Sequence, residues 1–307
     1  MANKSGRRLN SMMVSIIIVV ALAIVFGALV GAIYFIFNNP DTNNDTSSIT
    51  TSIDDTSSNI VSSDESSSNT PSVEASSQVP STNTSSTVSQ SQKPDDDAKI
   101  VYLTFDDGPS KNTLKLLDTL DELGVKATFF VVGNAVNAYP EYLTEIVRRG
   151  HAIGLHAYQH EYGIIYKSEQ AYFEDLQKIS DLVYNWTGIR PNIMRFPGGS
   201  SNAVSKNHCV GIMTLLTQKV PEKGYYYFDW NVDSGDATKL TAPVEEILES
   251  IKSYSLKNKI NLLMHDTYYK TTTIEALPEI VEYYRSHGYE FGVLDENSPE
   301  FHHRVNN

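Results

Sequence analysis

The sequence predicts an α/β protein: a distorted (β/α) barrel of about seven parallel strands, preceded by one transmembrane helix and a disordered linker. Three observations carry that expectation. An uncharged apolar run covers Met12–Phe37, a Ser/Thr-rich stretch without aromatic residues extends from there to about Asp97, and from Ala98 to Asn307 short apolar runs alternate with longer segments of helical period. The last block has the length of one barrel domain, about 200–250 residues.

The N-terminal run is longer than the roughly 20 residues needed to cross a hydrocarbon core. Lys4, Arg7 and Arg8 precede it and Asp41 and Asp45 follow, so residues 1–11 are expected in the cytoplasm and the rest outside the cell membrane. A cleaved signal peptide is the rival reading. Its apolar region is usually only about 7–15 residues, and no small-residue cleavage site follows Phe37 directly, which favours an uncleaved signal anchor. Gly27 and Gly31 form a GxxxG spacing that recurs often by chance and is given no role. The stretch 38–97 cannot bury enough apolar surface to fold, and is expected to tether residues 98–307 away from the lipid.

A formal net charge of -13 argues against binding a phosphate backbone, so nucleic acid is excluded as a partner. The single cysteine, Cys209, cannot form an internal disulfide; it is expected in a helix as a small buried residue without a chemical role.

Within 98–307 the expected strands are Ile100–Phe105, Ala127–Val132, Ala152–Leu155, Ile193–Phe196, Tyr225–Trp230, Ile260–Met264 and Tyr289–Leu294, with amphipathic helices between most of them. In the helix expected over Asn112–Leu123, Leu114, Leu116, Leu117, Leu120 and Leu123 recur at three- and four-residue spacings, and Gly124 stands where a C-cap belongs. An open doubly wound sheet is the alternative arrangement.

Polar residues cluster where these strands end. The first runs into Asp106-Asp107-Gly108-Pro109; two adjacent acids at the mouth of a buried strand repel, and the repulsion is relieved if one holds a cation while the other acts as a base. A helix cap or an Asx turn before Pro109 explains the pair equally well when it is taken alone. The third strand leads into His156 and His160, whose four-residue spacing suits a metal; with one carboxylate they would leave a coordination position for water. Two partly exposed histidines are the plainer reading, and His151, earlier in the strand, is expected to pack.

Arg195 ends the fourth strand, where its guanidinium could lock a carboxylate by a bidentate bond, while Gly198 could expose backbone N–H groups to an oxyanion. By itself this motif reads as a Pro-Gly turn with a surface arginine. Trp230, Asp233 and Asp236 follow the fifth strand, and Leu263, His265 and Asp266 lie at the end of the sixth; Trp230 could equally be core and His265 a cap. What outweighs the separate plain readings is that five strand ends carry acids, histidines or an arginine, and catalytic groups of βα barrels collect on that face.

Taken together, these stretches resemble the polysaccharide deacetylases of carbohydrate esterase family 4, the NodB homology domain, over about Ile100–Leu294. TFDDGP stands intact at Thr104–Pro109, and the resemblance implies that Asp106 is the catalytic base and Asp107 a metal ligand. The H-[ST]-x-x-H motif corresponds to His156 and His160 as the other ligands, with Ala157 in place of the hydroxyl residue that normally braces the loop. R-x-P-[YFG] corresponds to Arg195–Gly198, implying that Arg195 orients Asp106 and that the Gly198 amide helps hold the oxyanion. Asp233-Ser-Gly-Asp236 is similar to the fourth motif, with Ala237 where many members have Trp, a wall that Trp230 would supply. L-x-H matches Leu263 and His265, implying an acetyl-pocket wall and a general acid partnered by Asp236.

The resemblance implies one divalent metal ion, zinc first and cobalt, nickel or manganese as alternatives, because Asp plus two His suits all four. It implies hydrolysis of the acetamide of N-acetylglucosamine residues in a cell-surface polysaccharide. The anchor and tether favour peptidoglycan, ahead of poly-N-acetylglucosamine or chitin-like polymers and acetyl-xylan; a catalytically inactive cell-wall-binding module is the alternative of another class.

Overall fold

The computed structural model of the protein describes residues 97–307. The expected span Met12–Phe37 and the linker as far as residue 96 lie outside the described residues, and among the described residues no helix is long and apolar enough to cross a membrane.

Eight parallel strands form one sheet: β1 (Ile100–Asp106), β2 (Thr128–Val132), β3 (Ala152–Ala157), β4 (Ile193–Met194), β5 (Tyr226–Tyr227), β6 (Val232–Asp233), β7 (Lys259–His265) and β8 (Glu290–Gly292). Seven follow the path β5-β4-β3-β2-β1-β7-β6, and β8 pairs with β1. Because β7 pairs with β1 along its whole length, β8 and β2 share the other edge of β1, β8 beside Ile100–Tyr102 and β2 beside Thr104–Asp106. The path ends at β5 and β6 without closing, so the sheet is a parallel half-barrel.

Strand alternation divides the apolar residues into two cores. Outward residues such as Val101, Leu103, Phe105, Phe129, Val131, Leu155, Met194, Leu262 and Met264 pack against the helices in the larger cluster. Inward residues Tyr102, Phe130, Ile193, Phe228 and Leu294, with Phe301, fill the concave side. Towards the C-terminal ends of the strands the inward positions turn polar: Thr104 and Asp106 on β1, His156 on β3, Arg195 just past β4, and Asn261 and His265 on β7. This two-residue period brings chemistry to one end of the half-barrel.

Helix α1 (Thr113–Glu122) buries Leu116, Leu117 and Leu120, as the apolar spacing requires, and Gly124 follows it at φ 64. There Gly124 N–H donates to Asp121 O and Val125 N–H to Leu120 O, which terminates the helix in a left-handed conformation that glycine adopts without a Cβ penalty.

The strands expected over Ile193–Phe196 and Tyr225–Trp230 are shorter than their apolar runs. Arg195 N–H still donates to Leu155 O at 2.9 Å, but Pro197 has no N–H to carry the ladder further. The second run stops at Tyr227, and β6 is a separate strand that the sequence reading missed. Phe228 N–H still donates to Met194 O at 2.9 Å, but the C-terminal segment pairs along this stretch too: Asp229 N–H donates to Phe301 O at 2.7 Å, and His302 and His303 bond Tyr227 O and Trp230 O. That segment covers the outer edge of β5, which would otherwise be open to another chain. Cys209 lies outside any helix, in a bend before the helix Ile212–Glu222.

Candidate active site

Asp106 is the last residue of β1 and is buried. Burial raises its carboxyl above the ordinary range, against the opposing charges of Arg195 and His265. Asp107 next to it adopts φ 71. Successive side chains of a strand point to opposite faces; this left-handed residue breaks the alternation, so both carboxylates face His156, at 3.8 and 3.7 Å from its Nε2.

Arg195 is fully buried among oxygens. Its Nη1 donates to Asp106 Oδ1 and Thr104 Oγ1, both at 2.8 Å, its Nε to Phe228 O at 2.8 Å, and its Nη2 to Asn261 Oδ1 at 3.1 Å. The expected bidentate clamp is therefore a single hydrogen bond, because the rest of the fork is shared among Thr104, Asn261 and backbone. This leaves Asp106 Oδ2 free of the arginine and turned towards His156. Truncating Arg195 would strand a buried carboxylate, a change that typically costs about 3–5 kcal/mol.

Asp107, His156 and His160 bring their ligand atoms within 4.8 Å of one another, and Asp107 Oδ1 lies 3.7 Å from both imidazole Nε2 atoms. His156 Nδ1 lies 2.9 Å from Arg195 O, and a carbonyl can only accept, so the proton is on Nδ1 and the Nε2 lone pair faces Asp107. Burial, followed by the neighbouring His160, lowers the His156 pKa to about 3, which keeps the ring neutral. One carboxylate and two imidazole nitrogens converging with the tautomer fixed fit a divalent ion of the zinc class.

The loop between the two histidines carries no hydroxyl at Ala157. It is braced by Asp175, on the helix Glu169–Thr187, whose carboxylate accepts the N–H groups of Tyr158 at 2.7 Å and Gln159 at 2.9 Å. The sequence reading missed this residue. Its signal was an acid between Tyr172 and Leu176 on the buried face of an amphipathic helix.

The turn after β4 is held from behind. Pro197 O accepts Tyr166 Oη at 2.8 Å and Asn202 Nδ2 at 3.1 Å, which fixes the plane of the 197–198 peptide and therefore the direction of the Gly198 N–H opposite it. Gly198 has φ 76, and a Cβ there would lie 2.3 Å from Tyr162 Oη, so both backbone and space require glycine. The 199–200 peptide is held by Asp229, fully buried, which accepts Ser200 N–H and His303 N–H at 2.7 Å each and also Ser200 Oγ.

His265 ends β7, and its Nδ1 lies 2.7 Å from Asp236 Oδ1. The other Asp236 oxygen accepts His265 N–H at 2.9 Å and Thr273 Oγ1 at 3.0 Å. Burial opposes charge on the imidazole, but the hydrogen bond and charge of Asp236, aided by Asp106 and Asp107, raise its pKa to about 9. Burial likewise opposes ionisation of Asp236, yet its bonds and charge interaction with His265 hold it below the ordinary range. Leu263 lies two residues before His265, on the same face of β7, nearly buried.

Asp266 points the other way. It accepts Ser110 Oγ at 2.8 Å and Thr113 Oγ1, which ties the β7 end to the start of α1. Trp230 meets Gly199, His303 and the far side of the Arg195 guanidinium, 5.7 Å from its ring, towards the seam that the C-terminal segment covers. His151 packs as expected, edge-on to Phe129, with Nδ1 accepting Ala127 N–H.

The family model for polysaccharide deacetylases matches residues 93–209. The putative polysaccharide deacetylase YheN of Bacillus subtilis is 32% identical over 209 residues, 66% of this chain and 70% of that protein. A peptidoglycan-N-acetylglucosamine deacetylase of Bacillus cereus is 32% identical over 204 residues, 65% of this chain and 71% of that protein. The chain belongs to the polysaccharide deacetylase family. The crystal structure of the catalytic domain of a peptidoglycan N-acetylglucosamine deacetylase from Eubacterium rectale superposes with a TM-score of 0.65 at 42% identity, covering 71% of this chain and 99% of that one. Members of this family, carbohydrate esterase family 4, are hydrolases acting on amide and acetyl groups, and this polysaccharide deacetylase is one of them.

Proposed function

We propose that the chain is a divalent-metal-dependent deacetylase that hydrolyses the acetamide of N-acetylglucosamine residues in peptidoglycan, acting outside the cell from a membrane anchor formed by Met12–Phe37. The observation that carries this reading is the convergence of Asp107, His156 and His160 beside a buried acid, Asp106, with His265 on the adjacent strand β7 paired to Asp236 in the turn after β6. Two of the similar proteins named above are peptidoglycan N-acetylglucosamine deacetylases, which supports the choice of substrate. The charge asymmetry around the N-terminal apolar run supports the topology.

Asp107, His156 and His160 would hold the ion, which when bound would supply Lewis acidity for activating water and polarising the acetyl group. Asp106 takes a proton from the attacking water as it adds to the acetamide carbon. Its raised pKa makes it a stronger base than an exposed carboxylate, and Arg195, itself anchored on Thr104, holds it in place. The Gly198 N–H, aimed by the two hydrogen bonds that Pro197 O accepts from Tyr166 and Asn202, donates to the oxygen as it gains charge. His265, kept charged by Asp236, gives a proton to the sugar nitrogen, because an amide nitrogen leaves only when protonated. Acetate and a free glucosamine amine result.

The test is acetate release from purified peptidoglycan, poly-N-acetylglucosamine, chitin oligomers and acetyl-xylan by the same preparation. Release fastest from peptidoglycan is expected; no release from any polymer would leave the inactive binding module as the reading.

A further inference from the structure

Tyr162 opens the short helix Tyr162–Ile165, two residues beyond His160. Its ring is half-buried, packed edge-on against Tyr166 with centroids 5.4 Å apart and tilted towards His160 at 6.0 Å. Its hydroxyl lies in the space a side chain at residue 198 would fill, 2.3 Å from the position of a Cβ there. Asp107 is near enough to act on that oxygen electrostatically, and among the described residues none hydrogen-bonds it. The hydroxyl thus lies beside residue 198 and within electrostatic reach of Asp107, with its donor uncommitted. In the reaction above, the Gly198 N–H and the ion that Asp107 would help hold both act on the acetyl oxygen, so the hydroxyl neighbours the partners of that oxygen.

We propose that the Tyr162 hydroxyl donates a hydrogen bond to the acetyl oxygen of the substrate, sharing it with the Gly198 N–H as the carbon becomes tetrahedral. The inference rests on the deacetylase reading and adds a catalytic residue to it. No proton changes owner in this step. The phenol keeps its hydrogen, and the bond strengthens because the oxygen gains negative charge in the transition state. The ring supports that placement: Tyr166, on which it packs, also donates to Pro197 O, so one aromatic pair positions both donors. A packing role alone would need only the ring, so Phe separates the two roles.

The experiment compares wild type with Tyr162→Phe on an N-acetylglucosamine polymer, with metal content and melting temperature measured on the same samples. The expected result is a kcat lower by on the order of 10²-fold, with KM within about twofold and metal content and melting temperature unchanged. A methylphosphonamidate of glucosamine, whose P–O group mimics the tetrahedral oxygen, should lose affinity by a similar factor, while affinity for the deacetylated product stays the same. Unchanged kcat and unchanged analogue affinity would overturn the proposal. Loss of bound metal in Tyr162→Phe would also overturn it, because the hydroxyl would then act through His160. An inert wild type would bring down the deacetylase reading and this inference together, whereas an active wild type with an equally active Tyr162→Phe counts against Tyr162 alone.

Discussion

Asp106 and His265 are register partners on adjacent parallel strands, β1 and β7, and the N–H of Asp266 locks the pairing by donating to Asp106 O at 2.8 Å. Paired strands lie about 4.8 Å apart, so the proposed base and acid are carried side by side on one rigid ladder, with their side chains turned to the same concave face. A shift of register by one residue would turn one of them away.

Asp106→Asn and His265→Ala are each expected to lower kcat by on the order of 100-fold or more, because each removes a positioned proton-transfer group. Steady-state acetate release by each purified variant checks this, with near-normal turnover contradicting the role assigned to that residue.

The pH profile of kcat/KM is expected to be bell-shaped. His265 must be protonated, and its pKa is raised to about 9, so activity falls as pH rises through about 9. Asp106 must be ionised, and burial holds its pKa above the ordinary carboxylate range, so activity also falls as pH drops through that raised value. Asp236→Asn removes the charge that stabilises the imidazolium and should move the basic limb to lower pH. A basic limb that stays in place in this variant would separate the limb from the His265–Asp236 pair.

Asp175→Ala is expected to weaken metal binding by about 10- to 100-fold, because the loop between His156 and His160 loses the acceptor for two backbone N–H groups. Competition with a chelating dye measures it. Unchanged affinity would mean that the loop holds itself.

Tyr166→Phe leaves Asn202 as the single donor to Pro197 O and loosens the plane of the 197–198 peptide. Kinetics should show kcat reduced by about tenfold at unchanged KM, because the aim of the Gly198 N–H matters most when the oxygen carries charge. A rise in KM alone would place Tyr166 in substrate binding instead.

Much of this arrangement was legible in the sequence. TFDDGP, HxxxH, RFPG and LMH mark the ends of β1, β3, β4 and β7, and in a parallel sheet those ends share one face. The α1 stripe and Gly124 could be read from spacing alone. What stayed hidden depends on contacts between residues far apart in the chain. Asp175 braces a loop 16 and 17 residues away, Asp229 binds His303, and Tyr166 clamps Pro197 from 31 residues before it. β6 has only two residues, too few to show a period. Bidentate pairing was expected for Arg195 because its competitors for the guanidinium, Thr104, Asn261 and the Phe228 carbonyl, are brought together only by folding.

The most direct test of the central claim is the metal content of the dialysed protein, measured by elemental analysis alongside its turnover. One divalent ion per chain is expected, lost from His156→Ala together with activity, with activity that disappears on chelation and returns with added cation. A verified metal-free protein that still deacetylates at the wild-type rate would contradict it.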